Sequence, residues 1–204
     1  MTDDSVFSDI SGLEDFYSEI HRQTNIFKLA TGIRCLPGCG HCCENQNVEA
    51  SVPEMYSVAA EIFREKKEYE VIAAIEAKTL IGDKSCVFYV PDPEIPGNGR
   101  CSQYPFRALV CRLFGFAARK NKYGKKEFSP CRKIRENFPE LVENAQKAVS
   151  GGLEIPVCQD SFFHVSSLFP DRGIQTMPIN QAILQALEII WWKKPLDFEY
   201  AKAS

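Results

Sequence analysis

The chain has 204 residues, 45% hydrophobic and 25% charged, enough for an ordinary globular domain with its own apolar core. A net charge of −3 excludes a global electrostatic pull toward nucleic acid or anionic membrane, and no stretch approaches the roughly 20 apolar residues of a membrane-spanning helix. The acidic start, Met1 to Phe16, lacks a secretion-signal pattern, so the expected setting is cytoplasmic, where thiols stay reduced and nine cysteines point to metal or redox chemistry rather than disulfides.

Residues 11–30 are predicted to form a helix. Leu13, Phe16, Tyr17, Ile20 and Phe27 recur at helical spacing, Ser11 is the candidate cap, and Gly32 ends it. Next comes Cys35-Leu-Pro-Gly-Cys39-Gly-His-Cys42-Cys43, where Pro37, Gly38 and Gly40 oppose regular structure and let the backbone wrap tightly. Ser51-Val-Pro-Glu54 reads as a capping box opening a helix with Met55, Ala59, Ile62 and Phe63 on one face. A second run, 69–81, places Ile72, Ile75, Thr79 and Leu80 alike and closes at Gly82.

Residues 86–128 change to β character. Strands over 86–90 and 99–104 flank a Pro/Gly-rich loop; strands over 113–119 and 125–128 flank a turn at Asn121 to Gly124. Ser129 and Pro130 are predicted to cap and start a further helix, which restarts at Asn137-Phe-Pro-Glu140 and stops at Ser150-Gly151-Gly152. Residues 153–177 read as irregular. A last helix, 178–193, carries Ile179, Ile183, Leu187, Ile190 and Trp191 on one face and ends at Lys193-Lys194-Pro195. The expected fold is mainly α with two short β-hairpins (α+β), a small metal-centred cysteine-rich core packed by helices. Its expected parts are an N-terminal helix (1–32), a cysteine-cluster metal-binding region (33–132) and a C-terminal helical region (133–204), together forming one compact domain.

Four cysteines fall within residues 35–43. The two-residue gap between Cys39 and Cys42 lets two thiolates turn onto one metal, making these the most secure ligands. The neighbouring glycines are expected to offer backbone N–H groups to sulfur. Adjacent side chains diverge, so Cys42 and Cys43 serve two metals, or Cys43 is a free thiol. Cys86 and Cys101 flank the first hairpin, Cys111 and Cys131 the second, and hairpin ends bring distant thiols together; these four complete the candidate set. Cys158 stands apart and is expected to be a small buried side chain. His41 is expected to be an exposed loop residue, and His21 and His164 structural or surface residues.

These motifs carry a resemblance. Cys39-Gly-His-Cys42-Cys43, Glu54, Cys86-Val-Phe88 and Cys101-Ser-Gln-Tyr104-Pro-Phe-Arg107-Ala-Leu-Val-Cys111-Arg112 occur in the order found in the YkgJ-type cysteine-cluster proteins, the CxxCxxCC zinc- or iron-chelating domain. The chain resembles that family over about residues 33–132. It departs in a three-residue first gap, Cys35 to Cys39, and in Ala108 where the family has Pro. The resemblance implies metal chelation without choosing the metal.

Eight candidate thiolates exceed the four that one zinc needs, and suit either two centres or one cluster with spare thiols. Zinc and an iron–sulfur cluster therefore stay open as cofactors. The run from Cys35 to Cys42 is also similar to the three-cysteine motif of radical-SAM enzymes, but no succession of strand–helix units follows it. Arg107 and Arg112 are expected to offset thiolate charge from the second shell, and Tyr104 to pack in the core beside them with its hydroxyl satisfied.

The leading expectation is a metal-binding protein with a redox or metal-handling use, its partner a metal ion or cluster. Some larger proteins with this cysteine pattern are linked to flagellin lysine N-methylation, which makes a protein-modifying enzyme one alternative. A zinc-stabilised nucleic-acid-binding module is another, using the basic run Arg119 to Lys126, although such a run is expected to be a solvated hairpin tip. The apolar faces of the terminal helices are expected to cover the metal core or meet a protein partner. No membrane partner is expected.

Overall fold

Helical periodicity builds most of the frame. The computed structural model describes residues 5–170 and 175–193. Helix α1 (Ser5–Thr31) runs longer than expected, so Ser11 lies inside it and caps nothing. The cause is apolar: Ile10 continues the Leu13, Tyr17, Ile20 stripe into the core. Gly32 stops the helix at φ 71, its N–H returning to the Lys28 carbonyl at 2.9 Å.

A helical turn, α2 (His41–Glu44), follows within the cysteine-rich segment, which was expected to hold no regular structure. Strand β1 (Glu49–Ser51) leads through a 3₁₀ turn (Pro53–Met55) into α3 (Tyr56–Arg64). Then come α4 (Glu68–Leu80), β2 (Tyr89–Pro91), β3 (Gly99–Cys101) and α5 (Leu109–Leu113). Strands β4 (Ala118–Lys120) and β5 (Lys126–Phe128) precede α6 (Arg132–Asn137), α7 (Pro139–Ser150) and α8 (Cys158–Leu168). Strand β6 (Thr176–Pro178) and α9 (Ile179–Lys193) complete the order.

The architecture is mainly α with small antiparallel two-stranded sheets. Both hairpins form, with Tyr89 opposite Cys101 and Ala118 opposite Phe128. Their strands are shorter than expected. Residues 104–106 make a 3₁₀ turn, and Leu113, expected to start a strand, instead ends α5, whose Leu109 and Leu113 are buried at helical spacing. A third sheet pairs β1 with β6, placing Ser51 opposite Thr176. The segment 153–177, expected to be irregular, holds α8, with Ser161 and Val165 buried four residues apart. Helix α6 starts at Arg132 with Cys131 as its cap, in place of Ser129 and Pro130. Pro139 does open α7, its missing N–H harmless in the first turn.

Two apolar cores result. The larger joins α1, α3, α5, α8 and α9 through residues such as Leu13, Ile62, Leu109, Ile183 and Leu187. Each such side chain contributes roughly 1.5–3 kcal/mol when fully buried. The smaller gathers Phe27, Ile33, Phe128, Ile134 and Ala145 from α1, the β4–β5 hairpin, α6 and α7. Helix α4 contributes less than its pattern suggested: Ile75 is buried, but Leu80 is 88% exposed. On α9, Trp191 stays partly exposed and meets Phe63 and Tyr69 at ring distances of 6.0 and 6.4 Å. Lys194 and Pro195, expected to end α9, lie outside the described residues. No helix is long and apolar enough to cross a membrane among the described residues.

Candidate metal centre

The loop carrying Cys35 and Cys39 is held by the tip of the first hairpin. Gly40 donates to the Gly97 carbonyl at 3.1 Å, and Gly99 donates to the Gly38 carbonyl at 2.8 Å. Tyr89 locks the same tip by donating its hydroxyl to the Asn98 carbonyl at 2.8 Å. The approach is so close that a Cβ on Gly40 would stand 2.7 Å from the Tyr89 ring and 2.9 Å from the Gly99 nitrogen. Close backbone approach, rather than donation to sulfur, explains this glycine; its N–H is already spent on Gly97. Backbone N–H groups reach sulfurs elsewhere, as that of Ile134 does at 3.4 Å from Cys131 Sγ.

Cys86 arrives by a different route. Its N–H bonds the Cys43 carbonyl at 3.3 Å. The turn before it is clasped by Asp83, which accepts from Lys78 at 2.5 Å, Gln46 at 3.0 Å and the Ser85 N–H at 2.9 Å. Asn180 on α9 fixes the other side, accepting from the Val87 N–H and donating to the Ser85 carbonyl, both at 2.9 Å. Sequence reading passed over Asn180; a buried amide on an otherwise apolar helix face was the available signal.

Cys111 sits on α5, whose start is anchored by Glu54. This carboxylate is fully buried. One oxygen accepts from the Ser51 N–H at 2.6 Å and its hydroxyl at 2.8 Å, and the other accepts from the Val110 N–H at 3.2 Å. The capping box is thus half made: Glu54 reaches back to Ser51 while its second oxygen ties two distant segments together. Burial raises the Glu54 pKa despite these donors.

The sulfurs line two adjoining cavities. One, about 390 Å³, is bordered by Cys35, Cys39, Cys42 and Cys131 with His41 and Lys133. The other, about 60 Å³, is bordered by Cys42, Cys43, Cys86, Cys101 and Cys111 against Met55, Phe88 and Ile179. Cys42 faces both. Its sulfur lies 3.9 Å from that of Cys43. Hydrogen bonding from Cys43 holds Cys42 down at about 6, helped by the Arg107 charge. The Cys43 thiol likewise holds Cys101 down at about 7, again with help from Arg107. Cys43 itself is pushed up, because its proton is shared with these two partners and its site is desolvated. Burial pushes Cys86 to about 12 and raises Cys111, and the neighbouring thiols add to both. Local desolvation of its thiol first, then Cys42, Cys131 and Cys39, lifts Cys35 to about 11, although the residue as a whole is exposed.

Of the residues expected to flank the thiolates, Arg107 lies over the Tyr104 ring at 3.8 Å and lines the smaller cavity. Its Nε is buried with no hydrogen-bond partner among the described residues. Arg112 turns elsewhere: it donates to the carbonyls of Arg107, at 2.9 Å, and Pro105, and covers the Tyr17 ring at 4.3 Å. Tyr104 is 58% exposed, not a core residue, because its 3₁₀ turn lifts it to the surface beneath Arg107.

His41 pairs with Glu44 at 3.0 Å on the rim of the larger cavity. His21 bonds Asn25 on the exposed side of α1, and His164 stacks on Phe16. Cys158 borders a neighbouring cavity of about 730 Å³ that shares Cys131 and Phe114 with the 390 Å³ one, and the basic run forms the exposed β4–β5 tip with Lys120 paired to Asp160 at 2.5 Å.

As a donor set, eight thiols beside cationic Arg107, Arg132 and Lys133 suit a thiophilic metal. Among the described residues no three Cys, His, Asp or Glu side chains converge closely enough to hold a metal ion. Ligation by either set therefore requires side-chain rotation. The model of a family described as "CxxCxxCC: Putative zinc- or iron-chelating domain" matches residues 34–132. No curated protein and no solved structure matches the chain.

Proposed function

We propose that the chain binds metal through Cys35, Cys39, Cys42, Cys43, Cys86, Cys101, Cys111 and Cys131, in keeping with the match of residues 34–132 to a family described as zinc- or iron-chelating. The observation that carries this reading is that all eight border one or both of two adjoining cavities. Segments up to 96 residues apart, from Cys35 to Cys131, contribute sulfurs to two adjoining cavities, while Cys158 borders another. The metal's chemistry there is that of a Lewis acid or a redox centre; the chain supplies the thiolates, and Arg107 balances their charge.

Cavity size favours a single ion at the inner set. At about 60 Å³ the inner cavity is much the smaller of the two, the outer being about 390 Å³. That suits one zinc-type ion among thiolates better than a multi-iron core. An iron–sulfur cluster finds its space in the larger cavity.

Metal analysis and an optical spectrum of anaerobically purified protein test the reading. Zinc or iron is expected in the native chain and in Cys158→Ser, and lost in the Cys39→Ser/Cys101→Ser double variant. A colourless, iron-free sample selects zinc. Undiminished metal in the double variant refutes the ligand assignment.

A further inference from the structure

We propose that the cysteines form two metal centres of unlike access: an inner one held by Cys43, Cys86, Cys101 and Cys111, and an outer, exchangeable one held by Cys35, Cys39, Cys42 and Cys131. The inference rests on the reading of the chain as a metal chelator and goes beyond it in number of centres, ligand partition and exchange.

The first observation is the partition itself. Of the two thiol-lined cavities, Cys35, Cys39 and Cys131 border the larger and not the smaller, Cys131 also reaching the 730 Å³ cavity beside Cys158; Cys43, Cys86, Cys101 and Cys111 border the smaller and not the larger; Cys42 borders both. A tetrahedral thiolate site takes four sulfurs. Turning Cys42 outward completes four and four, leaving no candidate over and neither site short.

The second is the Cys42–Cys43 dipeptide. Both residues lie in the helical turn α2, where successive side chains are rotated by about 100°. One dipeptide can therefore present one sulfur to each cavity, and the 3.9 Å between the sulfurs makes the two sites immediate neighbours. This turn resolves why two adjacent cysteines are useful.

The third is the difference in support. Cys86 is buried, and with Cys101 and Cys111 it packs against the larger apolar core. The clasp of Asp83 and Asn180 fixes its backbone. On the outer side Cys35 is exposed, and Cys131 packs against the smaller core. Releasing an inner metal requires opening the larger core. Releasing an outer one requires only displacement of the 35–40 loop from the hairpin tip.

Titration of the reduced full-length chain with zinc, followed by challenge with a chromogenic chelator, tests this. Two equivalents should bind, one passing quickly to the chelator and the other held. Cys35→Ser/Cys131→Ser should bind a single equivalent, the slowly released one. Cys39→Ala carries the same expectation should the double variant misfold. A single equivalent in the native chain overturns the two-centre proposal and leaves the chelator reading standing. So does a Cys35/Cys131 variant that keeps both equivalents or loses both. Absence of uptake of both zinc and anaerobically added ferrous iron by the native chain overturns the chelator reading as well.

Discussion

The two thiol-lined cavities are neighbours built on opposite principles. The inner one is walled by apolar side chains of the larger core, and its cysteines arrive on segments pinned by buried polar residues, Glu54 and Asn180. The outer one is roomy, rimmed by His41 and Lys133, and depends on a loop held against a hairpin tip by backbone hydrogen bonds. The difference teaches that the same residue type sits against a large apolar core on one side and at an open rim on the other. Buried polar anchors on the inner side are expensive to disturb; loop contacts on the outer side are less so.

The sharpest way to break that contrast is Glu54→Ala. It leaves the Ser51 and Val110 donors without their buried acceptor and opens a cavity under α5, so a loss of about 3 kcal/mol is expected in urea unfolding. Glu44→Ala at the outer rim, where the carboxylate is exposed, should change stability by less than about 0.5 kcal/mol. Equal effects would erase the distinction between the two sides.

Gly40→Ala comes next. The added methyl meets the Tyr89 ring and the Gly99 backbone, and overpacking of this kind costs about 1–3 kcal/mol. Faster hydrogen exchange should be confined to residues 35–43 and 97–99. Loss of protection around Cys86 and Cys111 would contradict the separate support of the inner set.

The smallest effect is a dependence on pH. Hydrogen bonds from Lys78, Gln46 and the Ser85 N–H hold the Asp83 carboxyl well below its usual value of 3.8. The charged form is favoured in the folded state, so its contribution is present above about pH 3.8 and is lost as pH falls through the folded value. The carboxylate is partly exposed, so screening limits this to under about 1 kcal/mol. Asp83→Asn should flatten that part of the acid limb of a stability profile. An unchanged acid limb would remove Asp83 from the account of how Cys86 is held.

Local signals in the sequence were legible because their physics is local. Gly32 ends α1, Asn121 to Gly124 turns the second hairpin, and Pro139 opens α7. What escaped is non-local or brief. Strand β1 finds its partner 127 residues away, as the Thr176 to Glu49 hydrogen bond shows, and three-residue strands carry almost no periodicity. Helix α5, five residues long, escaped because Leu109 and Leu113 mark only one turn, and Leu113 falls in the strand expected over 113–119. At the site, spacing singled out the cysteines from 35 to 131. Which cavity each borders depends on how α2, the first hairpin and α5 meet, and no spacing rule encodes that. Asn180 escaped for a related reason: its partners are 93 and 95 residues away.

X-ray absorption at the edge of the bound metal tests the central claim most directly. Coordination by the cysteine cluster predicts a first shell dominated by sulfur, at about 2.3 Å for zinc. A first shell of nitrogen and oxygen alone would contradict it.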